Sequence, residues 1–317
     1  MRRLVFAALA ALPFALHAQE FPSRQITIVA STGAGSASDM IGRVLAPRLQ
    51  QRWNRPVIVE NRTGASGNIG VASVVKSAPD GHTLLIAPST LTITPWLVKD
   101  LGWDPARDLE PVARVAVIAM ALTVHAGVPA QSATQFIALA KQRPGALNYG
   151  TPGNGTPQHL GMELFKQATG TSLTHVPYKN LPGAVTDVLG GRVDGGFFAI
   201  QSVLPHAKAG KVRLLATTGE RRTPWTPDVP TLQEQGVSGA DVDSWIAMFA
   251  PPGTPAPIVQ QLYQEILAQL SAEDAKETLF KGGVQAAVST PAQLRQLVRS
   301  ELDRYQRVVA AAGLRPE

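Results

Sequence analysis

The chain contains no cysteine. That excludes disulfides, a thiolate nucleophile and any cysteine-ligated metal, so an exported form would draw its stability from core burial alone. It also lacks any block of one charge. Lys and Arg number 29 against 23 Asp and Glu, scattered along the chain, with no interleaving of basic and aromatic residues. Nucleic-acid binding therefore has no footprint in the sequence. No G-x-S-x-G elbow, internal repeat or low-complexity tract is evident, so no nucleophile for hydrolysis is marked. The N-terminal apolar run, Leu4 to Leu16, includes Pro13 and is too short to span a membrane.

That run is preceded by Arg2 and Arg3 and followed by the small residue Ala18. Residues 1–18 read as a secretory signal peptide, so the mature protein is expected to be exported. Its removal takes two basic residues and lowers the formal net charge from +6 to +4, a mild balance that suits anionic small molecules. The remaining length suits two α/β domains.

Strand-like apolar runs alternate with amphipathic helical patterns along most of the chain. This alternation predicts βα units with mostly parallel sheets. Residues 255–271, 272–281 and 290–312 read as consecutive helices, a terminal layer expected to pack on the first domain. The run 112–124 is too long for one ordinary strand. A strand leaving one domain for the other explains its length, and Ser244–Pro251 is the expected return. The predicted domains are residues 19–118 with 245–317, and residues 119–244 inserted between them across a two-strand hinge.

Two segments carry the chemistry. Residues 148–160, NYGTPGNGTPQHL, read as strand, glycine loop and helix, with Thr156 as N-cap and Pro157 at the first helical position. About 120 residues earlier the strand at Ile26–Val29 runs into Ala30-Ser31-Thr32-Gly33-Ala34-Gly35-Ser36-Ala37-Ser38-Asp39 and another helix, with Ser38 or Asp39 as its expected N-cap. Each loop ends at a helix N-terminus, where free amides and the helix dipole both favour an anion. One such unit in each domain could grip a small dianion across a cleft.

The candidate contacts are Thr151, Gly155 and Thr156 in the second domain, and Thr32, Ser36, Ser38 and Asp39 in the first. Asp39 would repel an anion, so it is expected to order its loop or a water. Ala65 and Ser66 sit at a further loop-to-helix start, and Ser89 and Thr90 follow a strand. His159 and His175 lack a third partner at ligand spacing, so a metal site is not expected. Gly33 to Ser38 nearly fits the dinucleotide fingerprint, with Glu60 at the ribose position, but Ser38 stands where its last glycine belongs. An exported location and the lack of a placed base or nucleophile argue against that enzyme reading.

The motifs FPSRQITIV, PVIVENRTGASGNIG (56–70), APDGHTLL (78–85), LNYGTPGNGTPQHL (147–160), HVPYKN (175–180), LLAT (214–217), DVPTLQEQG (228–236) and PPGTPAPIV (251–259) occur in order. With them the chain resembles the periplasmic solute-binding proteins of tripartite tricarboxylate transporters, the Bug family, from about residue 21 to its end. The resemblance implies a type II periplasmic-binding fold with a cleft between two hinged α/β domains. It implies a monomer that holds a small carboxylated metabolite by backbone amides and small hydroxyls, with no cofactor. Its partners would be the integral-membrane subunits of an ion-gradient-driven carrier. A ligand-reporting role for a sensor kinase is the alternative. Tyr178, Asn180 and Asp194 enter as candidate contacts through the family's motifs.

The sequence departs from the family pattern in three places. Ala30-Ser31 follows Val29 where the family often has proline and phenylalanine, and Asn180 replaces a usual glycine. Phe197-Phe198-Ala199 stands where many members carry Phe-Asp-Asn. Phe198 in place of that polar residue suggests a cleft suited to an apolar-bodied or aromatic acid.

Overall fold

The computed structural model describes residues 21–316. The signal-peptide reading of residues 1–18 lies outside them. Strand β1 (Ile26–Ala30) comes first among the described elements, and the Ser36 hydroxyl, not the expected Ser38 or Asp39, caps helix α1 (Ala37–Trp53) by accepting from Asp39 N, because the helix begins at Ala37. After β2 (Val57–Asn61), α2 (Asn68–Val75) and β3 (Thr83–Pro88), the long apolar run forms two strands, β4 (Glu110–Ile118) and β5 (Met120–His125). Then follow α3 (Ala133–Gln142), β6 (Asn148–Thr151), α4 (Pro157–Thr169), β7 (Thr174–Pro177), α5 (Leu181–Leu189), β8 (Gly195–Ala199), α6 (Ile200–Lys208) and β9 (Val212–Thr217). The chain returns through β10 (Ser244–Ala250) and ends in α7 (Ala256–Ser271), α8 (Glu273–Lys281), β11 (Gln285–Ala286) and α9 (Pro291–Ala311).

Two sheets result. One has the order β11-β4-β10-β3-β1-β2, the other β7-β6-β8-β5-β9. Within each, the βα-linked strands are parallel, as the alternation predicts: β1 with β2 and β3, and β6 with β7 and β8. The expectation of mostly parallel sheets fails at the crossing strands. β10 runs antiparallel to β3 and β4, and β5 antiparallel to β8 and β9. A strand that enters from the other half has no crossover helix to restore its direction.

Apolar side chains fill both faces of the first sheet, with Ile28, Leu45 and Leu84 on one side and Val29, Leu85 and Phe249 on the other. The second sheet buries Tyr149, Phe165 and Phe197 on one face and Val188, Phe198 and Val203 on the other. The terminal helix departs from its expected place. Leu294, Val298 and Leu302 of α9 pack on the first sheet, but Tyr305, Val308 and Val309 belong to the core of the second. A helix of this length runs about 30 Å, long enough to strap both halves.

Ala119 separates β4 from β5, and Asp243 precedes β10 at the other crossing. The Thr218 hydroxyl donates to Asp243 Oδ1 over 2.6 Å, and Thr218 N donates to Met120 O over 3.0 Å. Burial pushes the Asp243 carboxyl up to about 6, against the partial relief given by Thr218 and the Met120 amide. An unfolded aspartate titrates near 3.9. The folded state therefore holds the proton more tightly, and this contribution to stability is full below about 3.9 and lost as pH rises through 6. Asp243→Asn keeps an acceptor for Thr218 and removes the titration. Its melting temperature relative to the parent should climb between pH 4 and 6.5, and a pH-independent difference would refute this account of the crossing.

Candidate functional site

The first-half loop is organised by Asp39. Its carboxylate accepts from Gly35 N at 2.9 Å, Arg43 Nε at 3.0 Å and Asn61 Nδ2 at 2.9 Å. The Asn61 amide also donates to Thr32 O over 3.0 Å, tying the end of β2 to the loop. Arg43 in the first place, then the Gly35 amide and Asn61, hold the Asp39 carboxyl below its ordinary value despite the opposing effect of burial. These bonds fit the loop-ordering role expected from the sequence. Thr32 and Ser36 share a 2.6 Å hydroxyl contact, and the Ser38 hydroxyl is buried with no partner among the described residues.

Beside this loop lies the segment Gly64–Gly67, with φ of 114, 45, 57 and 93° in order. Ala65 and Ser66 thus occupy the left-handed region, which costs a non-glycine residue about 1–2 kcal/mol. Such strain is kept where surrounding structure imposes it. A small recess of about 10 Å³, room for about one water, opens here, lined by Ser31, Ser66, Asn68, Thr90, Thr94 and Trp103 among others. Ser66 and Thr90, separately read from the sequence, therefore meet at one place. Ser89 does not reach it; its hydroxyl is buried and lies 3.0 Å from Ser244 Oγ at the crossing.

The second-half loop leaves β6 at Thr151. Thr156 caps α4 by accepting from His159 N over 3.3 Å, while its own hydroxyl donates to Gly153 O. Gly155 has φ of +70°, and its N–H donates to His159 Nδ1 over 3.1 Å. A Cβ added to Gly155 would overlap Leu97 Cδ1, so this loop faces the first half's segment after β3. The first-turn amides of Ala37 and Ser38 on α1, and of Gln158 on α4, meet no acceptor among the described residues. These are the orphan donors of two helix N-termini.

Four sequence candidates are otherwise employed. Asp194 accepts from Asn148 N and donates its own amide to Asn148 Oδ1, both over 2.8 Å. Because it precedes β8, which runs parallel to β6, it sits at the strand end opposite Thr151 and clamps register there. Phe198 is fully buried among Ala184, Val185, Val188 and Val203. Its ring builds core instead of a cleft wall, so the argument from Phe198 to an apolar-bodied ligand loses its basis. The Tyr178 hydroxyl donates to Asp187 Oδ2 over 2.7 Å, and burial with that carboxylate pushes it up to about 12. Asn180 caps α5 by accepting from Gly183 N, which explains why asparagine suits this position.

The sequence reading missed Ser31, Asn68, Thr94 and Trp103, all lining the recess. Ser31 stands at a strand end before the first glycine, a signal that could have been used. Trp103 has none, since it comes from a segment far along the chain. Among the described residues, no group of three His, Asp or Glu is placed to hold a metal ion.

Comparison with known proteins adds a second line. Residues 41–314 match the model of the tripartite tricarboxylate transporter family receptor. The chain is 33% identical to protein BugT of Bordetella pertussis over 98% of this chain and 95% of that one. It is similar to a Rhodopseudomonas palustris protein solved with adipate, at 34% identity and TM-score 0.76, covering 94% of this chain and all of the other. MatC from the same organism, solved with bound malate, gives 28% identity and TM-score 0.70 over 91% and 100% of the two chains.

Proposed function

The chain belongs to the tripartite tricarboxylate transporter receptor family, and from that membership we propose that it captures a small dicarboxylate in the periplasm and delivers it to an ion-gradient-driven membrane carrier. It works as a binding protein and not as an enzyme. The ligand lies between the two sheets, with one carboxylate at each helix N-terminus. The observation that carries this reading is the pair of loops ending in the unpaired amides of Ala37, Ser38 and Gln158. Arg43, the cation nearest in sequence to the first loop, is committed to Asp39. Each charge-assisted hydrogen bond contributes about 1.5–3 kcal/mol. Three or four reach micromolar affinity, near −8 kcal/mol, once binding costs are met. The relatives solved with adipate and with malate support the ligand class.

In this reading the halves close by rotation at Ala119 and Asp243, and α9 supplies a third link that must bend or carry its last turns with the second half. None of the described helices is long and apolar enough to cross a membrane.

Calorimetry with adipate and with malate tests the capture. One of them should bind at micromolar Kd, and small-angle scattering should show compaction at saturation. Thr156→Gly retains most capping free energy and should bind about tenfold more weakly, the equivalent of ~1.4 kcal/mol. A ligand-bound structure with a bidentate arginine on the carboxylate would sink the amide mechanism.

A further inference from the structure

Thr151 and Gly155 are held in place by two histidines that the capture mechanism does not use. His159 on α4 and His175 on β7 lie face to face, with ring centroids 4.0 Å apart and planes inclined by 11°. Tyr149 stacks on His175 at 4.9 Å. His175 Nε2 lies 2.7 Å from Thr151 Oγ1, and Gly155 N donates to His159 Nδ1 over 3.1 Å. The second bond fixes a tautomer. A nitrogen that accepts carries no proton, so His159 holds its proton on Nε2, which faces Glu163 Oε1 at 3.9 Å.

We propose that His159 and His175 are positioning residues for the ligand loop at Thr151–Thr156, competent only while both rings are neutral, and that protonating the pair unlatches this loop and weakens ligand binding in acid. The inference rests on the reading that this loop holds the ligand. A proton on His159 Nδ1 would point at the Gly155 N–H, setting donor against donor. Two stacked imidazoles in contact also cannot both carry charge cheaply. The titratable groups facing the pair are Glu163 and Lys166 on α4 and Tyr149 on β6. Lys166 Nζ donates to Glu163 at 2.8 Å, and the Tyr149 hydroxyl donates to the same carboxylate. Burial alone would raise Glu163, but Lys166 and Tyr149 outweigh it and keep it ionised. Helix α9, packed on α4, adds Tyr305 to the same core.

Burial lowers both imidazoles from their ordinary value, and the neighbouring ring helps bring His175 down to about 4. The unfolded chain therefore takes up protons first. The loop's support is intact above the ordinary histidine value of about 6.5 and is lost as pH falls towards 4.

The test compares the parent with the His159→Asn, His175→Gln double variant. The asparagine oxygen takes the place of Nδ1 before Gly155, the glutamine amide takes the place of Nε2 beside Thr151, and neither titrates. Adipate and malate affinities are measured at pH 7.5 and 4.0; protonation of the ligand itself is common to both proteins and cancels. The parent's affinity should fall about twofold more between these values than the variant's. Equal falls overturn the proposal. Amide exchange at Gly155, followed by NMR without ligand, gives the second readout. Protection at Gly155, taken relative to the base-catalysed intrinsic rate at each pH, should fall in acid in the parent and not in the variant, and pH-independent protection in the parent overturns the pair's role. If neither ligand binds at any pH, the capture reading fails, and Gly155 exchange still decides whether the histidines hold the loop.

Discussion

Phe198→Ala should cost about 3–5 kcal/mol of stability, the range for emptying a buried phenylalanine site. The ring is fully buried and packed by Ala184, Val185, Val188, Val193, Val203 and Val212. Helices α5 and α6 cannot collapse onto the vacated space without leaving β8, so most of the cavity should persist. Folded at low temperature, the variant should bind its dicarboxylate within about twofold of the parent. Thermal unfolding and calorimetry on one preparation separate the two effects. A tenfold loss of affinity with the melting temperature preserved would return Phe198 to the cleft wall and restore the case for an apolar-bodied ligand.

That correction shows where sequence reading reached its limit. Alternation along β8 says that Phe197 and Phe198 face opposite sides of the sheet, yet both sides prove to be core. Nothing in a two-residue period says which neighbour covers each face. Asp194 is different, because its error was avoidable. In βα units ligands gather at the carboxyl ends of parallel strands, and a residue that precedes β8 lies at the amino end. Local features were legible for the opposite reason. The cap Thr156 and the glycines after β1 and β6 act within a few residues of themselves, although the cap of α1 falls at Ser36 and not at the expected Ser38 or Asp39. The long run 112–124 announced its crossing because no single strand of ordinary length accounts for it. Helix α9 displayed which of its faces is apolar, but not that the stripe changes partner between Leu302 and Tyr305. The histidine pair was equally hidden. Only the parallel register that sets Tyr149 beside His175 brings the β7 imidazole to the one on α4.

Gly70→Ala should lower stability by about 1–3 kcal/mol and weaken dicarboxylate binding by about tenfold. Gly70 lies in α2, where alanine would ordinarily stabilise a helix by about 1 kcal/mol. Here a Cβ would stand 2.6 Å from Arg62 O and 3.0 Å from Ser31 Cα. Both neighbours are main chain, so no rotamer change relieves the contact, and either α2 must move or the residues after β1 and β2, Ser31 and Arg62, must give way. Ser31 forms part of the recess with Ser66 and Thr90, and the next residue, Thr32, meets Ser36 at the cap of α1. A displacement of Ser31 therefore passes directly into the loop whose amides are proposed to hold one carboxylate. Gly33→Ala provides the stability control. Its Cβ would find only Thr63 Cγ2, at 4.0 Å, and should change unfolding by no more than about 0.5 kcal/mol. Parental stability in Gly70→Ala would mean that α2 has room to retreat from β1. Parental affinity in a destabilised Gly70→Ala would mean that the ligand does not depend on the placement of Ser31, and the first carboxylate would have to be sought away from this recess.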